Sequence, residues 1–206
     1  MFTPLCNLRC PYCHNPDLVL NEEEDSLLSR EEISLFLNKR AAVLGGVVIT
    51  GGEPLLHGEI LIDLIEEIHS HGLKVKIDTN GLFPDRLPIL KADYIAMDIK
   101  TSPSRYKELG YEGNDCEQKL TASARYIIEN FPDHQFRTTL SELLISPGDV
   151  EKMIPLLTGC REHRITPFRP GNTLSRLWQN KTPPEESFSR RVVELFIKNG
   201  IPSYLA

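Results

Sequence analysis

Short apolar runs of strand type alternate with stretches of helical period along this chain, and that alternation constrains its fold most. Met1 to Pro4 reads as the tail of a first strand, and Val47-Val48-Ile49-Thr50 is a β-branched run suited to a buried strand. Lys74 to Thr79, Tyr94 to Ile99, Gln135 to Leu144 and Ile165 to Phe168 read as four more. Between them lie helical signals. Ser29 with Glu32 forms a capping box ahead of Ile33, Phe36, Leu37 and Leu44, and Gly45-Gly46 stops that helix. Ile60, Leu61, Leu64, Ile65 and Ile68 mark the next, which stops at His71-Gly72. Arg86 to Lys91 is a short helix broken by Pro88. Leu120, Ala124, Ile127 and Ile128 make a helix that stops before Pro132. Ser146-Pro147 opens another, which Pro155 should kink or end. Thr182 with Glu185 is a second capping-box pattern, before a helix carrying Phe188, Val192, Leu195 and Phe196 and closed by Gly200.

Strand–helix repetition implies a parallel sheet with right-handed crossovers. There are about six units, fewer than the eight of a closed barrel of ~250 residues. The expectation is α/β, a partial (β/α)6 TIM-like barrel forming a single domain over residues 1–206. An open doubly wound sheet is the alternative. The first strand is expected to be truncated, because Met1 stands almost at the loop that follows it.

That loop carries the most specific chemistry. Cys6, Cys10 and Cys13 fall within eight residues. Three thiols at this spacing share no regular helix or strand face, so they converge only if the segment wraps around something. Thiolates suit zinc, copper(I) or iron–sulfur clusters. A structural zinc or an ordinary electron-transfer cluster takes four protein ligands, so three leave a metal position open. A zinc knuckle completed by His14 or His57 is the competing reading.

The remaining totals narrow the class. The net charge of −6 and the lack of a long basic run argue against a nucleic-acid partner. No apolar run reaches the ~18 residues of a membrane span, and the N-terminus lacks signal-peptide regions. Five cysteines, three of them crowded, do not make a disulfide framework and suit a reducing cytoplasm. Cys116 and Cys160 read as small buried hydrophobes.

Polar residues at strand ends are the other candidates, because in such a fold the strand C-termini face the active site. The second strand ends in Gly51-Gly52-Glu53-Pro54, where glycines admit close backbone approach and Glu53 offers a carboxylate at the mouth. The third ends in Asp78-Thr79-Asn80-Gly81. Asp98 and Lys100 alternate on one face of the fourth, where a mutual salt bridge is the simplest role.

Together, the C-x3-C-x2-C loop with Tyr12 before its last cysteine, Gly-Gly-Glu-Pro, Asp-Thr-Asn-Gly and Asp-Ile-Lys resemble radical S-adenosylmethionine (SAM) enzymes. The segment Cys-Pro-Tyr-Cys-His-Asn (10 to 15) is similar to activating enzymes of glycyl radical enzymes, most nearly those of anaerobic ribonucleoside-triphosphate reductase. The resemblance runs from about Met1 to Gly171. It implies that Cys6, Cys10 and Cys13 hold a [4Fe–4S] cluster whose open iron takes the amino and carboxylate groups of SAM. Tyr12, Gly51, Gly52, Asp78, Thr79 and Asn80 would line the SAM site. Glu53 would receive the ammonium, Lys100 would pair with the carboxylate, and Asp78 and Asp98 would hold a monovalent cation. Arg169 stands where formate-lyase activases carry a histidine contacting SAM. One electron would cleave SAM to a 5′-deoxyadenosyl radical that takes a hydrogen from a glycine of the partner enzyme. Flavodoxin or ferredoxin would supply the electron. A small-molecule radical SAM reaction, such as deazapurine-forming ring contraction, and a zinc-stabilised interaction module are the rival functions.

Overall fold

The computed structural model describes residues 1–20 and 27–206. Seven parallel strands form one sheet in sequence order: β1 (Phe2–Thr3), β2 (Gly46–Gly51), β3 (Lys74–Thr79), β4 (Tyr94–Asp98), β5 (His134–Leu140), β6 (His163–Pro167) and β7 (Ser203–Leu205). The sheet curls without closing, a partial TIM-type barrel. The helices are α1 (Pro16–Leu20), α2 (Arg30–Arg40), α3 (Gly58–Ser70), α4 (Cys116–Asn130), α5 (Pro147–Leu157) and α6 (Glu186–Lys198). Among the described residues no helix is long and apolar enough to cross a membrane.

The patterning explains the layers. In β3, Val75 and Ile77 are fully buried while Lys74 is exposed. Ile95, Ala96 and Met97 of β4 are all fully buried, as a central strand covered on both faces must be. Helix α3 turns Leu61, Ile65 and Ile68 inward. Cys116 and Cys160 are buried, as read from the sequence, and burial pushes their thiols up to about 12 and about 11.

Local signals held unevenly. The Ser29–Glu32 capping box forms at α2, and Ser146 caps α5 in a box with Asp149. The Thr182–Glu185 box does not form. Pro183 and Pro184 disfavour helical geometry in the residue before each of them, so α6 starts at Glu186 with no side-chain cap. Strand β5 ends at Leu140, short of Leu144, because the Ser141 carbonyl accepts from the amides of Leu144 and Ile145 and turns the chain. Helix α5 runs through Pro155 to Leu157. The sheet has a seventh strand, β7, that the six-unit count missed. It is only three residues long, SYL, with no alternation to read.

Candidate functional site

The carboxyl ends of β2, β3 and β4 and the cysteine loop enclose a cavity of about 280 Å³. A larger hollow of about 710 Å³ is an open depression lined by Asn114, Asp115, Glu117 and Gln118, and it gathers none of the candidate residues. The cavity is lined by all three loop cysteines, Tyr12, Gly51, Gly52, Asp78, Thr79, Asn80, Asp98 and Lys100. It is also lined by Arg137 of β5, to which the sequence reading gave no role.

Backbone bonds at several points shape the loop. Leu5 takes a left-handed φ of 63°, and its amide donates to the Leu18 carbonyl at 2.7 Å. The Arg9 amide donates to Leu109 O at 2.6 Å, and the Cys13 amide to Cys10 O at 3.0 Å. From the far side, the amides of Leu174 and Ser175 donate to the carbonyls of Cys13 and Pro11 at 2.9 and 3.0 Å. The Cys6 sulfur accepts from the Leu8 amide at 3.4 Å. Burial raises the Cys6 thiol and pushes that of Cys10 up to about 11. These thiols are therefore protonated until a metal takes the proton's place.

The two glycines of β2's end serve the loop as well as the cavity. A Cβ on Gly51, at φ +116°, would meet Thr3 backbone atoms at 2.6 Å, and one on Gly52 would meet the Leu5 carbonyl oxygen at 1.8 Å. Any side chain here would expel β1 and the loop.

Glu53 does not stand at the mouth. It is fully buried behind the glycines, where Oε1 accepts from the Leu55 amide at 3.0 Å and Thr79 Oγ1 at 2.8 Å. Oε2 accepts from the Asn80 amide at 2.7 Å. The carboxylate pins the end of β2 to the end of β3. Burial pushes its pKa up to about 7, against the pull of these three donors and Lys100.

Lys100 Nζ, which also lines the cavity, reaches Asp98 Oδ2 at 3.1 Å, so the simple salt bridge read from the sequence exists. Burial would lift Asp98, but the Arg137 and Lys100 charges overcome it and hold the carboxyl at about 2. Burial also opposes the Lys100 charge, and Asp98 overcomes that, keeping the ammonium protonated.

The resemblance implies a monovalent cation between Asp78 and Asp98. The Arg137 guanidinium lies there, with Nη1 donating to Asp78 Oδ2 at 2.9 Å and Nε to Asp98 Oδ1 at 2.8 Å. The register would have found it: Arg137 pairs with Asp98 across β4 and β5.

Arg169 is exposed and does not line the cavity. Phe168 packs inward at 1% exposure just after β6 ends, which turns the next side chain outward.

The zinc knuckle is not assembled among the described residues. No three His, Cys, Asp or Glu side chains gather as ligands of one ion. His57 Nε2 bonds the Pro4 carbonyl at 2.9 Å, and the His14 ring stacks on Phe168. A cubane engages each thiolate through a different iron, so its sulfurs stand further apart than the ligands of one ion. A cavity lined by three thiols, the Lys100 ammonium and Tyr12, whose buried hydroxyl has no hydrogen-bond partner, fits a cluster with an amino-acid-bearing ligand.

The family model "Radical SAM superfamily" matches residues 1–157. A protein of Methanocaldococcus jannaschii, named provisionally as a glycyl-radical enzyme activating enzyme, is 28% identical over 95% of this chain and 84% of its own length. The pyruvate formate-lyase-activating enzyme of Clostridium pasteurianum is 39% identical over 82% of this chain and 73% of its own. GTP 3',8-cyclase of Lactiplantibacillus plantarum is 31% identical over 87% of this chain but 56% of its own. Among solved structures, Streptococcus suis SuiB bound to S-adenosylmethionine shares the fold at a TM-score of 0.66 and 16% identity, covering 99% of this chain and 48% of that one.

Proposed function

The chain belongs to the radical SAM superfamily, and we propose that it activates anaerobic ribonucleoside-triphosphate reductase by generating a glycyl radical on it. As a radical SAM oxidoreductase of the activase kind, it uses a [4Fe–4S] cluster and SAM. Bound together, these supply one-electron cleavage of the sulfonium C–S bond and hence abstraction of a hydrogen atom from a glycine.

The observation that carries the reading is the presence, within one cavity, of three thiols and the ammonium of Lys100. Cys6, Cys10 and Cys13 would hold three irons. Lys100, held charged by Asp98, would grip the methionine carboxylate. Tyr12 and Asn80 would pack and hydrogen-bond around the bound groups. Glu53, pinned to β3, would act indirectly by fixing the β2 turn whose backbone meets the ligand. The loop and the sheet's open mouth would admit a glycine-bearing segment of the partner.

The choice of partner rests on the overall resemblance of the sequence to the activases of that reductase, and the short stretch between Cys13 and Ser29 leaves no room for the eight-iron insert of a glycerol-dehydratase-type activase. The stretch includes residues outside those described. Flavodoxin or ferredoxin would reduce the cluster, in a reducing cytoplasm that suits five free cysteines. The test is 5′-deoxyadenosine release and the glycyl-radical electron paramagnetic resonance signal, with anaerobic ribonucleotide reductase and with pyruvate formate-lyase. A signal only on the lyase sinks the partner assignment, and no deoxyadenosine with either sinks the activase reading.

The GTP cyclase relative favours a second reading, a small-molecule reaction. It predicts deoxyadenosine release stimulated by a nucleotide without any partner protein.

A further inference from the structure

Arg137 is the charged group of the cavity that neither the motifs nor the proposed chemistry uses. It sits on β5 beside Asp98 of β4, with Asp78 on the next strand, β3. One guanidinium therefore spans the ends of three neighbouring strands. Each Asp98 oxygen has its own cation, Arg137 on Oδ1 and Lys100 on Oδ2. Asp78 Oδ2 takes Arg137, and its Oδ1, which lacks a hydrogen bond of good geometry, faces Lys76 Nζ at 3.2 Å. A metal cation placed between the two carboxylates would meet a fixed positive charge and find no oxygen without a cation beside it.

We propose that Arg137 takes the place of a monovalent cation in this chain, so that SAM binding requires neither potassium nor sodium. A cation so placed would tie two protein carboxylates to the ligand's carboxylate. The guanidinium does the first part through Nε and Nη1. Among the described residues Nη2 has no hydrogen-bond partner, which leaves it for the ligand. The surrounding acids hold Arg137 in one orientation, and a strand-borne fork is already ordered before the ligand arrives.

The inference rests on the SAM reading of the cavity, and its test separates the two. The dissociation constant for SAM is measured on the cluster-loaded protein by equilibrium dialysis, in potassium chloride and in tetramethylammonium chloride of equal ionic strength. The expected result is the same affinity, within about twofold, in both salts. Tighter binding in potassium beyond that overturns the proposal alone, whereas binding in neither salt overturns the SAM reading with it. Arg137→Gln should lose about tenfold or more in tetramethylammonium and regain affinity as potassium is added. Equal affinity of Arg137→Gln and wild type in tetramethylammonium also overturns the proposal. Melting of the cluster-free variant checks its fold, and the wild-type comparison decides the matter even if the variant fails to fold.

Discussion

The two ends of the sheet carry polar clusters of different kinds. At the amino ends, Tyr94 and Gln135 donate to Glu162 Oε1 at 3.0 and 2.8 Å, Gln135 also donates to the Tyr204 hydroxyl at 3.1 Å, and Tyr204 donates to Glu162 Oε2 at 3.2 Å. His163 is wholly buried between Thr138 and Ser203, with both ring nitrogens bonded and burial holding it at about 3. That end is closed on itself. At the carboxyl ends, the buried Tyr12 hydroxyl borders the cavity with no hydrogen-bond partner among the described residues, while Asp78 Oδ1 faces Lys76 Nζ at 3.2 Å. Charges there are paired yet leave donors over. A polar group that finds its partners within the fold stabilises the fold, and one that does not is free for a ligand. The barrel's division of labour between its two ends follows.

The contrast breaks most sharply at the loop. Cys10→Ser should abolish the iron chromophore on anaerobic reconstitution, read by absorbance and iron content. A stable iron cluster in that variant would leave the open-position reading without its third ligand. Next comes Lys100→Ala. Removing one member of a buried pair should weaken SAM binding about 10- to 100-fold, measured by equilibrium dialysis, and slow deoxyadenosine release. Unchanged affinity would mean that the ammonium serves Asp98 alone.

Glu53 tests the boundary between the two kinds of cluster, because it borders the ligand site but bonds like structure. Glu53→Ala should cost about 2–4 kcal/mol of stability in urea denaturation, since three donors lose their acceptor. Its carboxyl lies at about 7 in the fold against the ordinary 4.5. Between those values the folded state keeps a proton that the unfolded state has released. The group's contribution is therefore full below about pH 4.5 and declines as pH rises toward about 7. The stability difference between wild type and Glu53→Gln should shrink over that window, and a flat difference would show that the three donors keep the carboxylate ionised. The smallest effect belongs to the closed end. Tyr94→Phe should lower stability by about 1 kcal/mol and leave SAM affinity as it was. A loss of affinity would tie the two ends together.

Much of this was legible in the chain. The cysteine spacing, the glycines after β2, and the acids and lysine ending β3 and β4 all lie where motif and alternation put them, around one cavity. What sequence reasoning missed was relational. Glu53 looked like a mouth residue because its motif ends a strand, but the Asn80 amide and Thr79 hydroxyl that draw it inward come from another strand. Arg169 looked like the cavity's arginine because it follows β6, yet Phe168 turns it out. Arg137 was given no role, lying in a strand with no turn or glycine to flag it. The Pro183-Pro184 pair, a local signal, outweighed the capping pattern beside it.

The sequence by itself determined most of the elements and their order, β7 excepted, through periods of two and 3.6 and through glycines, prolines and caps that act within a few residues. It also determined the cysteine loop, whose ligand spacing is local. The partners of the charges were decided by tertiary structure alone. Strand register brought Arg137 beside Asp98 and within reach of Asp78, residues separated by 39 and 59 positions in the chain. A buried charge is settled by whichever opposite charge folding places within hydrogen-bond reach, and that is a property of neighbouring strands.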